Sequence, residues 1–62
     1  MQFEIIWPER RIVSEEKIRS WYADAIDNGQ VLPDFFGFEK EPKGMAMALA
    51  DAGIITIGQV LP

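Results

Sequence analysis

Cysteine and histidine are both absent from this chain of 62 residues. A domain of this length buries only about 60% of the surface that its unfolded chain exposes, so small domains often add disulfides or a metal. Without cysteine there is no disulfide or thiolate site, and without histidine the commonest transition-metal ligand is missing. We therefore expect one small domain over residues 1–62, without cofactor or metal. Apolar packing, helped by self-association, has to stabilise it.

The amino-terminal run QFEIIW, residues 2–7, predicts a short strand. It is rich in residues with high β propensity, and it stops at Pro8, which cannot donate a hydrogen bond to a ladder. Residues 8–11 read as a charged turn. Strict alternation along the strand predicts one face of Phe3, Ile5 and Trp7 and an opposite face of Glu4 and Ile6.

The clearest element is a helix predicted over residues 15–28. Ser14 suits its N-cap, and Asn28-Gly29 supplies the stop, because glycine readily takes the left-handed conformation that follows many helices. Helical spacing gives one apolar stripe of Ile18, Trp21, Tyr22, Ala25 and Ile26. Trp21 and Tyr22 project about 100° apart. We expect Trp21 to pack in the core and Tyr22 to lie at its edge.

The connector QVLPDFFGFEKE, residues 30–41, carries three of the chain's four phenylalanines. Pro33 and Gly37 interrupt any regular element, and the apolar side chains are too many for a solvated loop. We expect one or two rings to be buried between the helices and at least one to face a partner. The predicted partner contacts are Phe35, Phe36 and Phe38, flanked by Trp7 or Tyr22.

The carboxy-terminal half predicts a second helix and a second strand. Pro42 suits the first position of a helix, and Gly53 suits the position after its last turn. Residues 54–57 then read as a short strand that Gly58 closes. The tail that follows is apolar, so we expect it to pack back on the protein or to meet another chain.

These elements predict an α+β fold in the order β-α-α-β. The economical assembly pairs the two terminal strands as a ribbon and packs both helices on one face of it. A two-stranded sheet is weak alone. Two copies joined edge to edge would make a four-stranded sheet, so we expect a homo-oligomer, with a dimer as its simplest form.

Several function classes are disfavoured by the residue types present. Ten acidic residues against six basic ones give a net charge of −4, which is poorly suited to binding phosphates. The second helix lacks arginine, asparagine and glutamine to reach base edges. Serine has no histidine to activate it, so we expect no catalytic residues and no enzyme activity. The one basic cluster is either a solvated patch or a contact for an acidic partner, and it comprises Arg10, Arg11, Lys17 and Arg19.

The amino terminus has only a short apolar run, with an acid inside it and no preceding positive region. That pattern indicates neither a signal peptide nor a membrane span, so we expect a cytoplasmic protein that does not contact the membrane.

The stretch SEEKIRSWYADAIDNGQVLP, followed by PKGMAMALADAGIITIGQ, resembles the short accessory proteins that phage and prophage genomes encode. The likeness is one of size and style and covers most of the chain. Such proteins often act as regulators or inhibitors that bind host or phage proteins. The resemblance implies a small protein-binding regulator. A structural subunit of a homo-oligomer and a nucleic-acid-binding regulator are the alternatives.

Overall fold

The computed structural model describes residues 1–33 and 40–62. They form a three-stranded antiparallel sheet and two helices, which is an α+β arrangement. The strand order is β2-β1-β3, so the strands nearest the two ends of the chain pair with each other, as the sequence predicts. The elements are β1 (Gln2–Trp7), β2 (Arg11–Ser14), α1 (Glu15–Asp27), α2 (Pro42–Asp51) and β3 (Thr56–Leu61).

Strand β2 was not predicted. The segment RIVS pairs with β1 as an antiparallel hairpin in which Phe3 faces Val13 and Glu4 faces Ile12. Four residues that lead directly into a helix are too short to show a recognisable alternation. The hairpin adds a third strand to the expected ribbon and so gives the sheet a larger face for the helices to cover.

Both helices begin and end where the sequence predicts. Ser14 is the N-cap of α1, and its hydroxyl accepts a hydrogen bond from the backbone N–H of Lys17 at 3.3 Å. Pro42 occupies the first turn of α2. The helices are followed by Gly29 and Gly53, whose φ angles of 73° and 78° lie in the left-handed region that favours glycine.

Strand β3 lies further along the chain than predicted. The sequence suggested a strand over 54–57 that ends at Gly58, whereas the observed strand runs through Gly58 to Leu61. Gln59 pairs with Glu4 and Ile57 with Ile5, so Gly58 is an extra residue in the ladder. The apolar tail therefore packs back on the protein by pairing with β1, as the last residues of this strand.

One apolar layer lies between the sheet and the two helices. The buried side chains from the strands share the inner face of the sheet, because residues directly opposite each other in a ladder point the same way. The core consists of Phe3, Ile5, Val13, Ile18, Tyr22, Ala25, Val31, Ala46, Leu49 and Ile55.

Two aromatic side chains lie elsewhere than the pattern predicts. Tyr22 is only 8% exposed and belongs to the core, while Trp21 is half-buried at the core's edge, so their expected roles are reversed. Trp7 was expected to continue the inner face but is 54% exposed. The ladder is irregular between Ile5 and Trp7, and Trp7 pairs with the exposed Thr56, so the alternation along β1 is lost and Trp7 faces away from the core.

Candidate partner-binding site

The helices cover the inner face of the sheet, and no element in the described part of the chain covers the outer face. Glu4 and Ile12 lie on that outer face, because they are cross-strand partners next to the inward pair of Phe3 and Val13. Three large apolar residues are exposed here: Ile6 at 43%, Trp7 at 54% and Ile12 at 56%. We call Ile6, Trp7 and Ile12 the outer apolar patch.

Gly58 shapes the outer apolar patch. A Cβ atom at this position would contact Oε1 of Glu4 and would lie 2.9 Å from Cδ1 of Ile6. The side chains of Glu4 and Ile6 therefore extend across β3 at the point where that strand has no side chain. Solvated faces of antiparallel sheets are usually polar. An outer face that presents isoleucine and tryptophan together is therefore a candidate interaction surface.

The two edges of the sheet are less suited to binding than its outer face. Edge strand β2 has only four residues and begins at Arg11. Edge strand β3 is bulged at Gly58 and is followed by Pro62. Short edges, bulges, charges and prolines all hinder pairing with another strand. The edge-to-edge dimer expected from the sequence stays a prediction.

A separate feature, a cleft, lies on the helix side of the sheet. It is a cleft of about 430 Å³ between α1, the turn that joins β1 to β2, and the segment before β3. We call it the Trp21 cleft. Its floor is made of the buried residues Ile5, Ala25 and Ile55, Trp21 forms a wall, and Glu9, Arg11, Asp24 and Gln30 lie at its rim.

Two cations lie close to the Trp21 ring. Cζ of Arg11 is 5.8 Å and Nζ of Lys17 is 5.7 Å from the ring centroid. Each such contact contributes about 0.5–1 kcal/mol at an exposed site. Arg11 also forms an exposed ion pair with Glu9, with 3.5 Å between Nη1 and Oε1. Two members of the predicted basic cluster are therefore already engaged within the protein.

The described residues contain neither a candidate metal site nor a buried charged side chain. Residues 1–33 and 40–62 contain no group of three or more aspartate or glutamate side chains that could hold a metal ion. Within the same ranges no charged side chain is buried. Neither α1 nor α2 is long and apolar enough to cross a membrane.

Of the predicted contact residues, the structure describes Trp7 and Tyr22. Phe35, Phe36 and Phe38 lie outside the described residues. Trp7 is exposed and belongs to the outer apolar patch, whereas Tyr22 is buried and presents little surface to a partner.

The contact residues predicted from the sequence do not include Ile6 and Ile12, two members of the outer apolar patch. Each stands beside another apolar residue in a strand, as Ile5-Ile6 and Ile12-Val13. In a strand with one buried face, such a doublet places one of its two apolar side chains outward. These two apolar doublets are the sequence feature from which the patch could have been predicted.

The chain matches no protein-family model, no curated protein and no solved structure. A functional assignment therefore depends on the surfaces of the protein itself.

Proposed function

We propose that this protein is a small cytosolic, non-catalytic, protein-binding module that acts as a regulator or inhibitor of a partner protein. The outer apolar patch is its main contact surface. The observation that carries the proposal is the exposure of Ile6, Trp7 and Ile12 on a sheet face that no described element covers. Tryptophan is among the residues that most often dominate binding energy at interfaces.

The size of the molecule suits binding by one whole face. A standard interface buries roughly 800 Å² on each partner. That is about a fifth of this protein's accessible surface of 4330 Å². Fully burying an exposed isoleucine contributes about 1.5–3 kcal/mol, so a half-exposed one contributes about half of that. The outer apolar patch therefore needs polar and shape-matched contacts around it to give tight binding.

The resemblance to phage and prophage accessory proteins supports the same proposal, since such proteins often act by binding host or phage proteins. A net charge of −4 further favours a partner with a basic surface over one that is acidic.

A structural subunit of a homo-oligomer is the second candidate. The outer apolar patch favours it, because a two-fold axis would bring the same patch of two copies together. Glu4 lies in the same sheet face beside Ile12. A face-to-face dimer of two chains of net charge −4 has to bury or displace two such carboxylates. We therefore favour a different protein as the partner.

Affinity capture from the source cell tests the proposal. The bait is the wild-type protein or the double variant Ile6→Thr/Ile12→Thr, which keeps β-branched residues in the strands but removes apolar surface. We expect the variant to lose the partners that the wild type recovers. The matched control is Met47→Gln, which removes a similar exposed apolar side chain from α2, on the other side of the sheet. It should recover the wild-type partners.

Identical partners on all three baits would show that the outer apolar patch is not the contact surface. A fourth bait, Phe35→Ala/Phe36→Ala/Phe38→Ala, tests the connector. If it recovers the same partners as the wild type, the predicted contacts in the connector are wrong.

A further inference from the structure

We propose that the Trp21 cleft takes an apolar side chain from a partner protein, and that lysine or arginine residues flank this side chain in the partner. The inference rests on the proposed protein-binding function, and it names the chemistry of the partner segment. The two proposed contacts lie on separate surfaces. The Trp21 cleft opens on the helix side of the sheet, and the outer apolar patch lies on the opposite side.

The Trp21 cleft has the volume and the apolar floor of a binding site. Its volume of about 430 Å³ falls in the range of roughly 300–1,000 Å³ that is usual for ligand pockets. Its floor is made by Ile5, Ala25 and Ile55, each of which is buried in the protein's own core. A guest side chain would therefore extend that core. The floor and wall lie on a strand, a helix and the segment leading into β3, which favours a site formed before binding.

The charges at the rim favour a cationic flank. Arg11 and Glu9 form an exposed ion pair, so these two rim charges of opposite sign offset each other. Asp24 also lines the cleft and forms no ion pair with any residue that the structure describes. A lysine or arginine beside the bound side chain would meet the Asp24 carboxylate, whereas that carboxylate would repel an acidic residue at the same place.

The charge of the whole chain acts in the same direction. With a net charge of −4, the protein attracts a basic segment and repels an acidic one during diffusional encounter. The opposite inference would place an acidic ligand on the basic cluster. Both of the cluster's members near the cleft, Arg11 and Lys17, are engaged with the Trp21 ring. An acidic ligand would therefore compete with the Trp21 ring for these two cations.

A nuclear magnetic resonance titration of the ¹⁵N-labelled full chain tests the inference at low salt. The probes are acetylated, amidated pentapeptides with a central phenylalanine flanked by two lysines on each side, or by two glutamates on each side. A third peptide has alanine at the centre of the lysines. We expect the lysine–phenylalanine peptide to shift the Trp21 indole N–H and the Asp24 amide saturably. The other two peptides should bind at least five-fold more weakly.

Two charge reversals on α1 separate a local effect from a general one. Asp24→Lys and Asp27→Lys change the net charge equally, but only Asp24 lines the cleft. We expect Asp24→Lys to weaken binding of the lysine–phenylalanine peptide about five-fold or more, and Asp27→Lys to change it less than two-fold.

Three results would overturn the inference: no saturable shift with any peptide up to millimolar concentration, equal effects of the two charge reversals, or tighter binding of the glutamate-flanked peptide. None of these touches the outer apolar patch, so the protein-binding function would still be tested by the isoleucine variants alone. Loss of capture by those variants, in turn, leaves the peptide titration unaffected.

Discussion

The side chains of Glu4 and Ile6 lie over Gly58 of the neighbouring strand, where any other residue would place a Cβ atom. The position of this glycine could be read from the sequence, but its role could not. The pattern within one strand carries no information about which side chains of the next strand cross it. Gly58 was therefore predicted as the end of a strand rather than as part of a binding surface.

Gly58→Ala should leave the free energy of unfolding within about 1 kcal/mol of the wild-type value. Alanine in a strand is favoured over glycine by roughly 0.5–1 kcal/mol. The new Cβ would meet Oε1 of Glu4 and both Cδ1 and Cγ1 of Ile6, so these two side chains have to shift, and that shift offsets the gain. Urea unfolding followed by tryptophan fluorescence measures the difference. A loss of more than 2 kcal/mol would show that the close approach at Gly58 is rigid.

At the scale of elements, α1 was predicted in its bounds but not in its rotation. The 3.6-residue period placed both Trp21 and Tyr22 on the apolar stripe. Which of two adjacent residues points inward depends on how the helix rolls against the sheet, and no pattern within the helix determines that. The buried stripe is Ile18, Tyr22 and Ala25, which leaves Trp21 as a wall of the cleft.

Alanine substitutions at the two aromatic positions of α1 should differ clearly in cost. Tyr22→Ala opens a cavity in the core and should destabilise by about 3–5 kcal/mol, which is comparable to the whole stability of a domain this small. Trp21→Ala removes a half-buried ring and its two cation contacts and should cost about 1–2 kcal/mol. Thermal unfolding by far-ultraviolet circular dichroism compares the two. A larger loss from Trp21→Ala would contradict the observed rotation of α1.

At the scale of the whole molecule, the sequence predicted the α+β class, the pairing of the terminal strands and both helices. It did not predict β2, because a four-residue strand has no clear period and its partner strand is what stabilises it. The outer apolar patch depends on β2, which contributes Ile12, and on the irregular register that turns Trp7 outward. Those features arise from the packing of strands against each other.

The central claim is that the outer apolar patch binds a partner protein. Isothermal titration calorimetry with the captured partner tests it most directly. The partner is titrated against purified wild-type protein, Ile6→Thr/Ile12→Thr and Met47→Gln. Each exposed isoleucine contributes about 1 kcal/mol at such an interface, so the double variant should bind at least ten-fold more weakly. Met47→Gln should bind within two-fold of the wild type. Equal affinity of all three proteins would contradict the claim.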